Sequence, residues 1–335
     1  MSDSEWIKVK FKQFVNNFGI KIITDNAPEI LFSKEDKEHE SYNSLIGFFL
    51  ILGGLLIYIS ISVMISSIYF SIPLFASVIV ICVIIASILI FNYWRTNVRI
   101  KPIECWIEIF KGPSEGRTSN YCFTFYPIFS GKCHPNEAKN LIYKLYEEEI
   151  YGNTIDITQI ELYLTIEEND PKKVNQLGFF FQYGEGKPFA VEDLKVAPWQ
   201  FFHYEKKGGD NYIAVANWFH QYEWRFDLAL DYDKLNSYAP WIIQKWDPNS
   251  IKPLTQDYKF QINWEKRLLN SLPKLKPWEG SLSEQKYYDP NLYKDLKIIE
   301  DAIAQIVGEN TKVENYKDIK EKLFEFKAYF QDLKS

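Results

Sequence analysis

The sequence predicts an α+β protein that is anchored in a membrane by two transmembrane helices. Three observations predict this class: a long apolar segment without charged residues, a series of short alternating segments separated by turn signals, and two C-terminal segments with helical spacing of apolar residues. The predicted parts are an N-terminal cytoplasmic arm (1–40), a transmembrane helical hairpin (41–94), a cytoplasmic β-rich domain (95–280) and a C-terminal αα-hairpin (281–335).

The composition excludes several classes of protein. The chain has 335 residues and a mass of 39.6 kDa; 47% of its residues are apolar and 24% are charged, which excludes a disordered protein, a collagen-like repeat and a carrier with many spans. Its formal charge of −6 gives the chain no overall positive field, so we predict no nucleic-acid partner. Four cysteines are too few for a disulfide scaffold.

The N-terminal arm admits two interpretations. Apolar residues from Trp6 to Phe18 have a rough helical spacing, and the lysines among them would suit an amphipathic helix at a membrane surface. Residues 7–12 instead alternate with period two, which is typical of a strand, and residues 20–24 and 29–32 also predict short strands. We expect part of this arm to pair with the domain that follows the apolar segment.

The apolar segment predicts two membrane spans. No Asp, Glu, Lys, Arg or His occurs from Ser41 to Trp94, a run too long for one crossing of about 20 residues. Pro73 divides the run, so we place one helix near Leu45–Ile68 and the other near Leu74–Tyr93. Basic residues flank both outer ends, and the positive-inside rule then predicts a cell-membrane protein with two spans and both termini in the cytoplasm. The lipid bilayer is the first predicted partner.

Alternating segments and turn signals predict that the β-rich domain is a sandwich or an open barrel with helices packed on it. The predicted strands are Glu104–Phe110, Tyr121–Ile128, Asp156–Ile166, Leu177–Tyr183, Trp199–Tyr204, Tyr212–Ala216 and Tyr222–Leu230. One helix is predicted at Pro135–Ile150 and a short one at Tyr238–Lys245.

Aromatic residues make up 17% of the chain and concentrate between Trp199 and Phe226. A sheet face of aromatic side chains could stack sugars, bases or an apolar ligand, or could contact the lipid interface, and Trp199, Trp218 and Trp224 are the candidate ligand-binding residues. The alternative is a sheet core, because aromatic residues are favoured in strands and in protein interiors.

The C-terminal segment predicts an αα-hairpin. Apolar residues recur at intervals of three and four from Leu292 to Ile306 and again from Tyr316 to Leu333. The second stripe could recruit a partner helix through Tyr316, Leu323 and Phe330. The two stripes could equally pack on each other and on the sheet.

No catalytic or metal-binding motif is present. Cys133 and His134 are adjacent, but no second cysteine lies at the spacing that a zinc site needs, so we predict no metal and no cofactor. The chain lacks the motifs of serine hydrolases, zinc proteases and phosphate-binding loops. A dispersed site that uses Cys133 with His203 or His220 stays open.

These observations favour a membrane-anchored binding protein, which could be a scaffold, an adaptor or a subunit of a complex. Its partner would be another protein or a second copy of the chain. The alternative is a membrane-anchored enzyme that uses His203, His220 and nearby carboxylates. A third interpretation is a lipid or ligand sensor that uses the aromatic sheet face.

Overall fold

The computed structural model shows an α+β fold. It describes residues 6–33, 36–38, 53, 100–184, 198–204, 212–225, 241–257, 274–277, 287–288, 290–308, 313 and 316–333. The chain divides into two compact units, one formed by Met1–Asp36 together with Ile100–Ser335 and the other by Lys37–Arg99.

The described elements all belong to the first unit. The strands are β1 (Ile7–Val9), β2 (Glu29–Ser33), β3 (Pro102–Glu115), β4 (Thr118–Phe129), β5 (Asp156–Ile157), β6 (Ile160–Glu167), β7 (Asp170–Gln182), β8 (Trp199–His203), β9 (Tyr212–Val215), β10 (Tyr222–Arg225), β11 (Trp241–Gln244) and β12 (Ile251–Pro253). The helices are α1 (Phe11–Phe18), α2 (Ile20–Asn26), α3 (Glu137–Tyr151), α4 (Pro290–Ile306), α5 (Tyr316–Glu321) and α6 (Leu323–Asp332).

An eight-stranded sheet forms the centre of the unit. Its main order is β1-β3-β4-β6-β7-β8, with β12 beside β3 and β5 beside β4, and its pairs are antiparallel except for β12 with β3. Two residues, Gly116 and Arg117, connect β3 to β4. Gly116 has a φ of +62°, which glycine adopts without steric cost and which a tight hairpin turn requires.

A four-stranded sheet has the order β10-β9-β2-β11. Strand β2 comes from the N-terminal arm and lies between β9, to which it is parallel, and β11, to which it is antiparallel. Strand β1, from the same arm, pairs with β3. The expectation that the arm pairs with the later domain is therefore confirmed. Residues 20–24 were predicted as a strand but lie in helix α2, which buries Ile23 in the core.

The main core lies between one face of the eight-stranded sheet and the inner face of the four-stranded sheet. Alternate residues of β4, such as Phe123 and Phe125, join Ile30 of β2, Ile213 of β9 and Phe14 of α1 in one buried cluster. The opposite residues of β4 belong to other clusters on the other face of the same sheet. Every residue of β4 after Thr118 is buried, so this strand is covered on both faces.

The helices α3 to α6 form a second core. Helix α3 begins after Asn136, whose side chain accepts a hydrogen bond from the N–H of Lys139 at 3.0 Å, and it ends at Gly152, which has a φ of +77°. Its apolar residues pack against residues from the three C-terminal helices. The apolar seams predicted near the C terminus are thus covered partly by a helix from the preceding, strand-rich part of the chain.

The predictions of a membrane-anchored fold, a transmembrane hairpin and a two-span cell-membrane location are corrected by the structure, whereas the lipid bilayer as a partner stays a prediction. In the part of the chain that it describes, no helix is both long and apolar enough to cross a bilayer. The longest described helix, α4, has 17 residues, includes charged residues such as Lys294 and Asp301, and would extend only about 26 Å, less than the ~30 Å of a bilayer core. Apart from Gly53, the predicted spans 45–68 and 74–93 lie outside the described residues.

The short helix predicted at Tyr238–Lys245 is also wrong for its described part. Trp241–Gln244 forms strand β11, which pairs with Ser33–Ile30 of β2. Local spacing over four residues does not separate a helix turn from a strand, and pairing with β2 decides the conformation here.

Candidate functional site

His220 lies in the turn between β9 and β10 and is fully buried. The Asn217 side-chain oxygen accepts hydrogen bonds from the N–H groups of Phe219, at 3.1 Å, and Gln221, at 3.3 Å, and these bonds fix the turn. His220 has a φ of +57°, a region that residues other than glycine seldom adopt. The surrounding bonds therefore hold the His220 backbone in a costly conformation that points its ring inward.

Both ring nitrogens of His220 meet buried carboxylates. Nε2 lies 2.8 Å from Oδ2 of Asp36, and Nδ1 is hydrogen-bonded to Oδ2 of Asp156. The ring also stacks on Phe129, with 4.0 Å between the ring centroids. Asp36 follows β2 and Asp156 begins β5, so the imidazole joins segments that are far apart in the sequence.

Lys132 extends this group of charges. Its ammonium is paired with Glu147 of α3, lies 3.7 Å from Oδ1 of Asp156, and is 4.2 Å from the centroid of the Phe219 ring. The five ionisable side chains Asp36, Lys132, Glu147, Asp156 and His220 are all largely enclosed, and we call them the imidazole–carboxylate cluster.

The electrostatics of this cluster favour a charged imidazole. Burial lowers the pKa of His220, but the carboxylates of Asp156 and Asp36 outweigh burial and raise it to about 9. Burial raises the pKa of Asp36, and His220 opposes this rise. At neutral pH the imidazolium donates through both N–H groups and has no lone pair to accept a proton from a substrate. The geometry thus suits a structural role for His220, as the link between two buried carboxylates, better than a role as a general base.

The other predicted catalytic residues do not share these surroundings. His203 is exposed at the end of β8, with its ring edge-on to Phe201 at 4.9 Å. Cys133 is buried, and its Sγ lies 3.8 Å from the carbonyl oxygen of His134. The structure does bring the Cys133 segment close to the His220 turn, because the ring centroid of His134 lies 4.6 Å from that of Trp218. Catalytic roles for Cys133, His203 and His220 stay predictions.

The three predicted ligand-binding tryptophans are buried in different places. Trp199 packs on Phe180 at 5.4 Å between centroids, and Trp224 packs on Phe179 at 5.2 Å, on the opposite face of the same strand. Trp218 contacts His134 beside the His220 turn. The three indoles do not form one common platform, and their role in ligand binding stays a prediction.

The predicted partner-binding residues lie in the second core and at its margin. Phe330 is fully buried and meets the ring of Tyr146 on α3 at 5.2 Å, whereas Tyr316 and Leu323 are half-buried. Phe330 is packed inside the protein, as the alternative interpretation of this stripe predicted. The partner-binding role of the three residues stays a prediction.

A second polar group lies on the face of the eight-stranded sheet that is turned away from the main core. Glu108 of β3 pairs in register with Thr124 of β4, which in turn pairs with Glu161 of β6. Tyr126 donates a hydrogen bond to Glu108 at 2.9 Å, and Tyr163 donates one to Glu161 at 2.5 Å. We call these five side chains, all buried, the sheet-face polar cluster.

Sequence analysis missed this cluster, although a signal for it exists. Glu108, Thr124 and Glu161 each interrupt an apolar strand at positions that alternate with core residues. A charged residue inside such a strand is rarely buried without a partner. The partners could not be identified from the sequence, because Glu108 is paired with Lys8, 100 residues away, and the cation beside Glu161 lies 113 residues away.

The cation beside Glu161 and Thr124 is Lys274, which lies on the sheet face with Leu275. The Lys274 ammonium is paired with Glu161, donates to Oγ1 of Thr124 at 2.9 Å, and lies 4.7 Å from the centroid of the Phe110 ring. Burial lowers the pKa of Lys274, but Glu161 and further negative groups outweigh this and raise it, so the ammonium stays charged.

The backbone of Leu275 is also held by side chains of the protein. Its N–H donates to the hydroxyl of Tyr163 at 2.9 Å, and its carbonyl oxygen accepts a hydrogen bond from Nε1 of Trp6 at 3.2 Å. The Leu275 side chain is buried in an aromatic cluster that includes Phe201. The sheet face therefore binds the charged side chain of Lys274, the apolar side chain of Leu275, and the backbone N–H and carbonyl of Leu275.

The described residues contain no group of three His, Cys, Asp or Glu side chains that could hold a metal ion. The chain matches no protein-family model, no curated protein and no solved structure.

Proposed function

We propose that this chain is a binding protein that holds a polypeptide segment on the sheet-face polar cluster. The observation that supports the proposal is the placement of Lys274 and Leu275, which lie on the sheet as a bound peptide would. Contacts to a side chain and to the peptide backbone together are typical of peptide recognition on protein surfaces.

The residues that contact this segment come from parts of the chain that are far from it in sequence. Thr124 and Phe110 lie on β4 and β3, Glu161 and Tyr163 lie on β6, and Trp6 precedes β1. Neighbouring strands position these groups, and the register of β4 with β6 places Thr124 beside Glu161 without any contribution from Lys274. A rigid sheet face of this kind is suited to recognise a segment from another chain.

The enzyme hypothesis has weaker support. His220 has both ring nitrogens engaged by carboxylates, and Cys133 is buried. A catalytic base needs an accessible lone pair, and a cysteine nucleophile needs access to its substrate. We therefore favour binding as the function.

Site-specific photo-crosslinking tests this proposal in the full chain. A benzophenone amino acid at Phe110, which is half-buried beside Lys274, should capture a second polypeptide when it is irradiated in cells of the source organism. The expected product is an adduct heavier than the 39.6 kDa chain. The same photo-reactive residue at Phe324 is the matched control, because that side chain is 82% exposed on α6 and far in sequence from the cluster.

Crosslinks that form at Phe110 but not at Phe324 would support a binding site on the sheet face. Irradiation that yields only crosslinks within one chain at Phe110 would overturn the proposal. Equal capture from both positions would also count against it, since random collisions with other proteins would then explain the adducts.

A further inference from the structure

We infer that the sheet-face polar cluster is a receptor site for a lysine followed by an aliphatic residue, and that Lys274 and Leu275 occupy it as an internal ligand. This inference rests on the proposed binding function and names the chemistry of the ligand. The partner is thus a polypeptide segment that presents a Lys-Leu pair, and the chain's own segment competes with it.

The requirement for an ammonium group follows from the charges of the site. Glu161 is buried to 1% exposure, and it accepts hydrogen bonds from Tyr163 and from Nε2 of Gln159, which are neutral donors. A buried carboxylate needs a positive charge to offset the loss of its hydration. Lys274 supplies that charge, and its position between Glu161 and Thr124 fixes where an ammonium must lie.

Two further features select a primary ammonium on a flexible aliphatic stem. The ammonium lies over the face of Phe110, where a cation is attracted to the aromatic ring. Thr124 accepts one hydrogen bond and Glu161 another, and they are adjacent across two neighbouring strands. A guanidinium is larger and planar, so it would not fit the same position without moving one of these groups.

The residue after the lysine is selected by an apolar site. Leu275 is 3% exposed and belongs to a cluster with Tyr163, Phe180, Trp199 and Phe201. Trp6 lies beside this cluster, with its ring edge-on to Tyr163 at 5.8 Å, and holds the Leu275 carbonyl. A charged or small side chain at this position would lose most of the apolar contact, so we expect a preference for Leu, Ile or Met.

The internal segment should inhibit binding of an external one. A segment of the same chain has an effective concentration that reaches the millimolar range, so an external peptide competes at a disadvantage. Removing the internal side chains should therefore increase the affinity for an external Lys-Leu peptide, in contrast to the usual effect of deleting contacts.

The test uses the full chain and a fluorescent peptide that copies residues 271–280. We expect the double variant Lys274→Ala/Leu275→Ala to bind this peptide at least tenfold more tightly than the unaltered chain does, as measured by fluorescence anisotropy. Adding Glu161→Gln to the double variant should weaken binding at least tenfold, because the ammonium loses its buried counter-charge. A peptide with norleucine in place of the lysine that corresponds to Lys274 is the matched control for length and apolarity.

The inference is overturned if the folded double variant binds the lysine and norleucine peptides equally or binds neither. If the double variant does not fold, the unaltered chain with the photo-reactive residue at Phe110 is irradiated with millimolar labelled peptide. A labelled adduct with the lysine peptide but not with the norleucine peptide supports the inference, and its absence refutes it.

This test and the cellular crosslinking test can fail separately. Cellular adducts at Phe110 without lysine-dependent peptide binding would leave the binding function standing and reject the Lys-Leu ligand. Absence of both would reject the proposed function as well.

Discussion

His220 donates its two ring N–H groups to Asp36 and Asp156, and the three side chains are buried together. Asp36 also accepts, at its carbonyl oxygen, a hydrogen bond from the N–H of Ile100 at 3.0 Å. The residue before the 37–99 unit is thus joined both to the residue that follows that unit and to the turn between β9 and β10. The imidazole therefore stabilises the place where the chain leaves and re-enters the first unit.

Replacement of His220 tests this structural role. His220→Gln should lower the free energy of unfolding by about 3 kcal/mol or more, because it removes the buried cation that the carboxylates of Asp36 and Asp156 share. Urea denaturation monitored by tryptophan fluorescence measures the change. His203→Gln is the control, since His203 is exposed and its replacement should cost no more than about 0.5 kcal/mol. Similar losses in both variants would contradict the role assigned to the buried imidazole.

The raised pKa of His220 predicts how stability depends on pH. The folded protein holds this proton with a pKa of about 9, whereas an unfolded histidine has a pKa near 6.5. The stabilisation is therefore complete below about pH 6.5 and is lost as the pH rises through about 9. We expect the free energy of unfolding to fall by about 3 kcal/mol over that range, since one pKa unit corresponds to about 1.4 kcal/mol.

Denaturant titrations of the unaltered chain and of His220→Gln between about pH 6 and pH 9 measure this dependence. The difference in stability between the two proteins should shrink as the pH rises. A constant difference would mean that the imidazole does not change its charge in this range.

At the scale of elements, helix α6 has one buried and one exposed side. Phe330 is buried against α3, whereas Phe324, on the same helix, is 82% exposed. The apolar spacing from Tyr316 to Leu333 predicted one helical arm, which the structure divides into the two helices α5 and α6. It could not predict that α3 covers the seam, because α3 lies more than 150 residues earlier in the chain.

Two phenylalanine replacements on α6 separate packing from surface exposure. Phe330→Ala should destabilise the chain by about 3 to 5 kcal/mol, because it opens a cavity beside Tyr146. Phe324→Ala should change stability by no more than about 0.5 kcal/mol. Thermal unfolding followed by circular dichroism provides the measurement. A small effect of Phe330→Ala would show that α6 does not pack on α3 in solution.

Several strands and helices could be predicted from residues that are near one another in the sequence. Alternation within 104–110 and a run of Tyr, Cys and Phe within 121–128 predicted β3 and β4, although the observed strands extend further. The single strand predicted at 156–166 is observed as two strands, β5 and β6. The helix predicted at Pro135–Ile150 is observed as α3. These elements are long and strongly periodic, so their own residues define them.

At the scale of the whole molecule, the N-terminal arm completes both sheets. Strand β2 lies inside the four-stranded sheet, and three of its residues, Ile30, Leu31 and Phe32, are buried. Trp246 donates a hydrogen bond to the carbonyl of Pro28 at 3.0 Å, which ties the arm to the segment after β11. The arm is thus an integral part of the first unit.

Removal of the arm should prevent folding of the rest of the chain. A chain that begins at Lys37 lacks β1, α1, α2 and β2, so the four-stranded sheet would be split between β9 and β11. We expect non-cooperative urea unfolding and loss of amide protection in β9, measured by hydrogen exchange. Adding a peptide of residues 1–36 in trans should restore part of that protection. Unchanged cooperative unfolding without the arm would contradict this account.

The candidate sites show what distant contacts contribute. His220 was identified as a candidate catalytic residue from its type alone, yet its partners Asp36 and Asp156 lie 184 and 64 residues away. Glu161 was not identified, and its partner Lys274 lies 113 residues away. Residue type suggests which chemistry is available. The neighbouring charges decide whether the group acts as a general base, forms a structural ion pair or occupies a binding site.

Local sequence patterns predicted the type and approximate position of β3, β4, β6, α3 and the C-terminal helices, and the composition showed the abundance of aromatic side chains. These properties depend on residues that are close in the chain, because strands and helices each impose their own spacing on neighbouring apolar residues. Contacts between distant residues, in contrast, place β2 in the four-stranded sheet, α3 over the C-terminal seam, and His220 and Lys274 beside buried carboxylates. These contacts depend on strand order and register, which bring together residues that local periodicity cannot relate.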